Sequence, residues 1–274
     1  PLIDGSAVTG RERTVNSPID GAVIGTVQEG DEAVVTAAIA SAQAAFASWS
    51  ATPLADRVAA LARAGDLIEQ DRGRLIALLQ SEGGKTIDDC VSEVREAVDY
   101  CRFYAQDARR AFAPQPLPGP TGESNELRMR GRGVFICISP WNFPAAIFTG
   151  QIVAALVAGN SVVAKPAEQT PLVAFELIRL LHRAGIPAGA INFVPGDGKI
   201  GALLVADRRV AGVAFTGSTE VARGINRALA AKNGPIPPLI AETGGVNAMI
   251  VDATALPEQV TDDVITSAFR SAGQ

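Results

Sequence analysis

The sequence predicts an α/β fold in which a parallel sheet is covered by helices on both faces. From Gly133 onward, short apolar runs alternate with helix-like segments, some of which end at glycines such as Gly159 and Gly185. The runs are continuously apolar rather than alternating, which is typical of parallel strands buried on both sides. The predicted strands are residues 134–138, 161–164, 191–194, 213–215, 239–241 and 248–251.

The first third of the chain predicts helices. Asp31 can cap a first helix, and Thr52-Pro53 reads as a cap followed by proline at the first position of a second helix. The second helix should end near Gly83-Gly84, and Thr86 should begin a third. The segment 114–133 is rich in proline and glycine and predicts an excursion from the domain, in which residues 126–130 alternate as a half-exposed strand does.

Composition narrows the possible functions of the 274 residues. The 24 Lys and Arg against 29 Asp and Glu leave a net charge of −5, so we expect no nucleic-acid surface and no membrane partner. One histidine excludes a multi-His site, and we predict no metal. Three cysteines, Cys90, Cys101 and Cys137, indicate core packing and a cytoplasmic location rather than disulfides. No apolar run is long enough to predict a transmembrane helix.

Two glycine-rich turns follow predicted strands and precede predicted helices. The run GDGKIG at 196–201 fits a dinucleotide-binding pattern, although the acidic residue usual about 20 positions later is missing. In the run FTGST at 215–219, Ser218 can cap a helix whose free N–H groups favour a phosphate. The alternative for each is a plain strand-to-helix turn.

Three polar positions also follow predicted strands. The Asn142 amide, between two prolines, can donate to an oxyanion, or it can satisfy its own loop. Lys165 and Glu168 can both bind ribose hydroxyls, or they form a surface ion pair of little energetic weight. Glu242, followed by Gly244-Gly245, has room to act on a water or a thiol, or it is an acid in a turn.

Four motifs, in this order and spacing, resemble the aldehyde dehydrogenase superfamily: PWNFP at 140–144, KPAEQTP at 165–171, FTGST at 215–219 and ETGG at 242–245. A closer resemblance, to the glutamate-semialdehyde (1-pyrroline-5-carboxylate) dehydrogenase domain of bifunctional proline utilization A, is carried by residues 101–105, 121–127, 131–135 and 236–274. Val246 departs from that pattern, where a polar residue is more frequent.

The resemblance implies a Rossmann-like sheet and NAD-dependent oxidation of L-glutamate γ-semialdehyde to L-glutamate in proline catabolism. It implies that Asn142 is the oxyanion donor and Glu242 the base. Because Glu168 would repel a 2′-phosphate, NAD should be preferred over NADP. The cofactor-binding residues implied are Ile138, Pro140, Trp141, Asn142, Lys165, Glu168, Gly198, Gly201, Phe215, Thr216, Gly217, Ser218, Val221, Glu242, Thr243 and Gly244.

The resemblance also divides the chain. Residues 1–116 are expected to form a helical part of the NAD-binding domain, 117–132 part of an oligomerisation flap, and 133–274 the Rossmann-like part. The nucleophilic cysteine is expected just beyond Gln274, with the catalytic domain outside this chain, so the chain alone should be inactive.

We expect a homo-oligomer acting on a small aldehyde, with FAD only if a proline dehydrogenase domain lies upstream. The alternatives are another semialdehyde dehydrogenase, or a non-catalytic cofactor-binding or structural module.

Overall fold

A computed structural model describes residues 1–269 of the chain. The strands in this range are β1 (Leu2–Ile3), β2 (Ser6–Ala7), β3 (Arg11–Asn16), β4 (Val23–Glu29), β5 (Gln115–Leu117), β6 (Asn125–Leu127), β7 (Val134–Ile138), β8 (Ser161–Lys165), β9 (Ile191–Phe193), β10 (Val210–Gly217) and β11 (Leu239–Thr243). The helices are α1 (Glu32–Ala51), α2 (Leu54–Gln70), α3 (Arg72–Gly83), α4 (Ile87–Ala111), α5 (Ala146–Val157), α6 (Pro171–Arg183), α7 (Gly198–Ala206), α8 (Thr219–Ala230) and α9 (Pro257–Phe269).

Seven strands form one sheet in the order β11-β10-β7-β8-β9-β1-β2. The first five of these are parallel, and β1 and β2 extend the sheet with antiparallel pairs. Because β8 and β9 lie on one side of β7 and β10 lies on the other, the strand order reverses between β7 and β10. Open α/β sheets bind ligands at such a switch point, outside the carboxyl ends of the strands.

Helices cover both faces of the sheet, as predicted. Successive side chains of a strand point to opposite faces, and β7 shows this directly. Phe135 and Cys137 pack in a core with α2, α3, α4, α5 and α6. Val134 and Ile136 pack in a second core with α1, α7 and α8. The continuous apolar strands are therefore explained, since neither face of β7 meets solvent.

Two predicted strands need correction. Residues 248–251 form no strand, and Ile250 is 93% exposed. The apolar run predicts a buried strand, but the chain leaves the sheet after β11 and, within residues 1–269, the run has no strand to pair with. Residues 126–130 were expected to be a half-exposed strand, but only Asn125–Leu127 is extended. It pairs with β5 in a hairpin whose residues are all exposed.

The N-terminal part is less helical than predicted. Residues 2–29 contain four strands, of which β3 and β4 form an antiparallel hairpin. The predicted second helix is two helices, since it breaks at Asp71, which ends α2 and begins α3. Pro53 has an extended ψ of 141° and stands before α2 rather than at its first position. Asp31 and Thr86 cap α1 and α4 as predicted.

The helix α1 is long and apolar enough to cross a membrane by length and composition alone. The sequence did not predict such a helix. Its buried residues, among them Ala38 and Ile39, pack in the core with Val134 and Ile136 of the sheet. In the structure α1 is therefore one of the helices that cover the sheet.

Candidate cofactor site

The predicted site residues gather along one edge of the sheet. Asn142 follows β7, Lys165 ends β8, Gly198 follows β9, Gly217 ends β10 and Glu242 lies near the end of β11. These five strands are parallel, so their carboxyl ends lie at the same edge. Residues spread over about a hundred positions of sequence are thus brought to the switch point of the fold.

A cleft of about 270 Å³ opens at this edge, between the sheet and the helices α7 and α8. Six residues predicted from the sequence line it: Ile138, Lys165, Gly198, Gly201, Phe215 and Val221. Five further lining residues were not predicted: Ala202, Val205, Gly224, Ile225 and Ala228. These five lie on α7 and α8, and only the packing of the helices shows which of their faces meets the cleft.

Lys165 supplies the cation of this cleft. The residue is only 6% exposed, and its Nζ donates to the carbonyl oxygen of Pro166 at 3.0 Å. Burial lowers the pKa of Lys165 to about 8, partly opposed by the charges of Glu168, Asp197 and Glu29. An ammonium has three N–H donors. The bond to the Pro166 carbonyl oxygen is the one hydrogen bond that Lys165 Nζ makes within residues 1–269. A buried donor beside apolar walls suits a ligand that carries both an aromatic ring and hydroxyl groups.

The GDGKIG turn is built as a capped helix start. Asp197 caps α7, since its Oδ1 accepts from the backbone N–H groups of Lys199 at 2.9 Å and Ile200 at 3.3 Å. These are the groups that a phosphate would otherwise use. The structure therefore favours a plain strand-to-helix turn over a phosphate-binding turn. Gly198 and Gly201 nevertheless line the cleft. A Cβ at Gly201 would lie 3.5 Å from Cδ of Lys165, so glycine keeps the space around that side chain open.

The FTGST turn joins β10 to α8 as predicted. The Ser218 hydroxyl accepts from the backbone N–H of Val221 at 3.3 Å and caps the helix. A Cβ at position 217 would lie 2.6 Å from Cζ of Phe215, so any other residue there would displace that ring. The capping role is thus confirmed, and a contact between this turn and a pyrophosphate stays a prediction.

Glu242 lines a different cavity, of about 360 Å³, on the face of the sheet covered by α4 and α5. Tyr100, Gln151 and Thr216 line it too, and the Gln151 amide donates to the Thr216 hydroxyl at 3.1 Å. Phe215 lines both cavities. The candidate base is therefore separated from the Lys165 cleft by the sheet, and the two spaces adjoin at the end of β10.

The remaining predicted residues lie at the same edge but line neither cavity: Pro140, Trp141, Asn142, Glu168, Gly217, Ser218, Thr243 and Gly244. The Asn142 residue is partly buried in the loop between β7 and α5, and its carbonyl oxygen accepts from Nζ of Lys85 at 2.8 Å. Sequence reasoning missed Lys85, and it missed Arg13, whose guanidinium donates to the carbonyl oxygen of Glu168. Neither residue belongs to a motif, and only the tertiary contacts reveal them.

The three cysteines are buried, as predicted. Burial raises the pKa of Cys90 to about 11 and that of Cys101 to about 12, and it also raises the pKa of Cys137. A nucleophilic thiol needs the opposite environment, in which the thiolate is stabilised and accessible. These three residues therefore serve packing rather than nucleophilic chemistry.

The fold and the cleft define a class of α/β protein: a doubly covered parallel sheet with a ligand-sized cleft at its switch point. Within that class, the chain belongs to the aldehyde dehydrogenase family, whose sequence model matches residues 6–274. The predicted resemblance and the predicted fold class are both confirmed.

Similar proteins refine this assignment. The bifunctional protein PutA of Klebsiella aerogenes is 48% identical over 279 residues, which cover 100% of this chain and 20% of PutA. The 1-pyrroline-5-carboxylate dehydrogenase of Anoxybacillus flavithermus is 37% identical over 256 residues, or 92% of this chain and 50% of that enzyme. A solved structure of mutant proline utilization A from Bradyrhizobium japonicum has a TM-score of 0.90 and 65% identity, over 90% of this chain and 26% of that one. The chain thus spans a fifth to a half of these curated relatives.

Proposed function

We propose that the complete gene product is an NAD-dependent aldehyde dehydrogenase that oxidises L-glutamate γ-semialdehyde (1-pyrroline-5-carboxylate) to L-glutamate in proline catabolism. The observation that carries the proposal is the cleft at the switch point, where a buried ammonium stands among apolar walls. Membership of the family supports a nicotinamide cofactor, and the names of the relatives support the substrate.

The residues present fit the adenosine part of NAD. The walls formed by Ile138 and Val221 suit an adenine ring, and Lys165 can donate to the ribose hydroxyls. Glu168 follows in the exposed loop after β8 and can accept from the same hydroxyls. A 2′-phosphate would bring negative charge towards Glu168, so the site should favour NAD over NADP. NAD supplies the hydride acceptor when it is bound.

Two residues of this chain act on the aldehyde in the proposal. The Asn142 amide donates a hydrogen bond to the oxyanion that forms when a thiolate adds to the carbonyl. The Glu242 carboxylate takes the proton from the thiol or from the deacylating water. Since Cys90, Cys101 and Cys137 are buried with raised pKa values, the nucleophile must be a different cysteine of the gene product.

The assembly is also part of the proposal. The β5–β6 hairpin within residues 115–127 is exposed throughout, which suits an oligomerisation flap in a homo-oligomer. We propose a cytoplasmic enzyme with the three-part division of the chain predicted above. FAD would be present only with a proline dehydrogenase domain elsewhere in the gene product.

The test uses the complete gene product and follows NADH formation with L-glutamate γ-semialdehyde and, separately, with succinate semialdehyde. We expect a higher kcat/KM for the first, with a lower dissociation constant for NAD than for NADP. A preference for succinate semialdehyde would indicate another semialdehyde dehydrogenase. NAD binding without turnover of either aldehyde would indicate a cofactor-binding module, and equal affinity for the two cofactors would refute the role of Glu168.

A further inference from the structure

A buried ion pair lies beneath the loop that carries Asn142. Lys85 stands just before α4 and Glu93 in its second turn, and Lys85 Nζ lies 2.6 Å from Glu93 Oε2. The two side chains are 8% and 0% exposed. Taking both charges out of water is costly, and apolar residues of similar size often stabilise a fold equally well. The pair therefore calls for an explanation beyond stability.

The remaining contacts of the pair go to one short loop. Lys85 Nζ donates to the carbonyl oxygen of Asn142 at 2.8 Å and lies 4.2 Å above the ring centroid of Phe143. Glu93 Oε1 accepts from the backbone N–H groups of Ala145 at 2.7 Å and Ala146 at 3.3 Å. The helix α5 has no side-chain cap of its own, so Glu93 supplies acceptors for its first amides.

The loop is consequently held at both ends by one ion pair. The ammonium fixes the backbone at Asn142, and the carboxylate fixes the backbone at Ala145 and Ala146. The proline rings of Pro140 and Pro144 restrict φ at those two positions. Because the main chain is held in this way, the Cα atom of Asn142 and the direction of its Cα–Cβ bond are fixed. An oxyanion donor acts only when it is aimed in advance at the developing charge.

We propose that Lys85 and Glu93 are positioning residues that hold the Asn142 amide in place for the aldehyde oxyanion. This inference rests on the proposed function of Asn142. Neither residue touches the aldehyde. Each acts through the loop, and neither lines the Lys165 cleft.

A double-mutant cycle in the complete gene product tests the coupling. Loss of an oxyanion donor lowers kcat by about 10²–10³-fold. We expect Lys85→Met to lower kcat at least tenfold, and to cause no further loss of kcat in an Asn142→Ala background. Equal fold losses in both backgrounds, or an unchanged kcat for Lys85→Met, would overturn the inference.

Variants at Glu93 and a control separate positioning from general destabilisation. Glu93→Gln keeps an oxygen for the amides of Ala145 and Ala146, so it should retain more kcat than Glu93→Leu. Arg74→Met removes an exposed ion pair with Glu176 that links α3 to α6, and it should leave kcat unchanged. If Glu93→Gln and Glu93→Leu lower kcat equally, the positioning role is wrong.

Hydrogen exchange supplies a readout without turnover. Peptides spanning residues 141–150 should exchange faster in Lys85→Met than in the wild type or Arg74→Met, and unchanged exchange would overturn the inference by itself. Full activity of Asn142→Ala would remove the proposed role of Asn142 and the inference with it. An inactive Asn142→Ala without coupling to Lys85 would remove the inference alone.

Discussion

Arg13 and Glu168 are 155 positions apart in the chain, and the guanidinium of Arg13 donates a hydrogen bond to the carbonyl oxygen of Glu168. The same guanidinium pairs through Nε with Oε1 of the buried Glu29 at 2.5 Å. The β3–β4 hairpin is thereby tied to the loop that carries a candidate ribose ligand. The sequence did not predict the β3–β4 hairpin. This hairpin nevertheless supports the loop of Glu168, which the sequence did predict as a site residue.

Replacing Arg13 should weaken NAD binding. Arg13→Met removes the bond to the Glu168 carbonyl, and a hydrogen bond from a charged donor contributes about 1.5–3 kcal/mol. We expect the dissociation constant for NAD to rise roughly tenfold in fluorescence titrations of the complete gene product. Arg11→Met is the matched control, because Arg11 is 77% exposed and also forms a salt bridge with Glu29. Equal effects of the two variants would show that NAD binding depends on the salt bridges of Glu29 and not on the bond from Arg13 to the Glu168 loop.

Filling the cleft at Gly224 should block the cofactor without harming the fold. A Cβ at Gly224 would meet no atom within 4 Å, and the residue lines the cleft from α8. Gly224→Ala should raise stability by about 1 kcal/mol, because alanine favours a helix interior. Gly224→Leu should place its larger side chain in the cleft and raise the dissociation constant for NAD more than tenfold. Normal NAD binding by the leucine variant would place the cofactor elsewhere.

NAD affinity should fall as pH rises through about 8. The pKa of Lys165 lies near 8 because of burial, so its ammonium is present below that pH and is lost above it. We expect the dissociation constant of the wild type to increase between pH 7 and 9.5, and that of Lys165→Met to be high and independent of pH. A wild-type constant that does not change over this range would refute the role of the ammonium.

A stability measurement on Lys165→Met is the control for that experiment. The folded pKa is lowered from 10.5 to about 8, so burial of the charge destabilises the fold by about 3 kcal/mol below pH 8. This penalty fades as pH rises from 8 to 10.5. Lys165→Met should therefore melt at a higher temperature than the wild type at pH 7, with a smaller difference at pH 10. Weaker NAD binding could then not be attributed to unfolding.

The thiols of this chain should resist alkylation. Burial raises the pKa of Cys90 to about 11 and that of Cys101 to about 12, and Cys137 is buried as well. Iodoacetamide at pH 8 reacts with thiolate, so peptide mapping of the native gene product should find these three unmodified and the proposed nucleophilic cysteine labelled. Denatured protein should be labelled at all three. Rapid native labelling of any of them would make it a candidate nucleophile.

Local patterns and the family resemblance together predicted six of the eleven residues that line the Lys165 cleft. The turns that contain Ser218 and Asp197 were predicted to join a strand to a helix, and only Ser218 was predicted to cap. In the structure both residues cap helices. The same rules failed at residues 248–251, because an apolar run predicts a strand only where a partner strand exists. They also failed at Asp71, since the apolar stripe continues through the break between α2 and α3.

The sequence alone determined the five parallel strands, their order along the chain and the polar residues that follow them, because periodicity, caps and glycine turns depend on near neighbours. Only the tertiary structure decided that Lys165 meets Gly224 in one cleft while Glu242 lies across the sheet. It also decided that Lys85 and Glu93 hold the Asn142 loop. These contacts join residues that are far apart in the chain. Burial and ion pairing between such residues produce no periodic pattern in the sequence, so the sequence does not predict them.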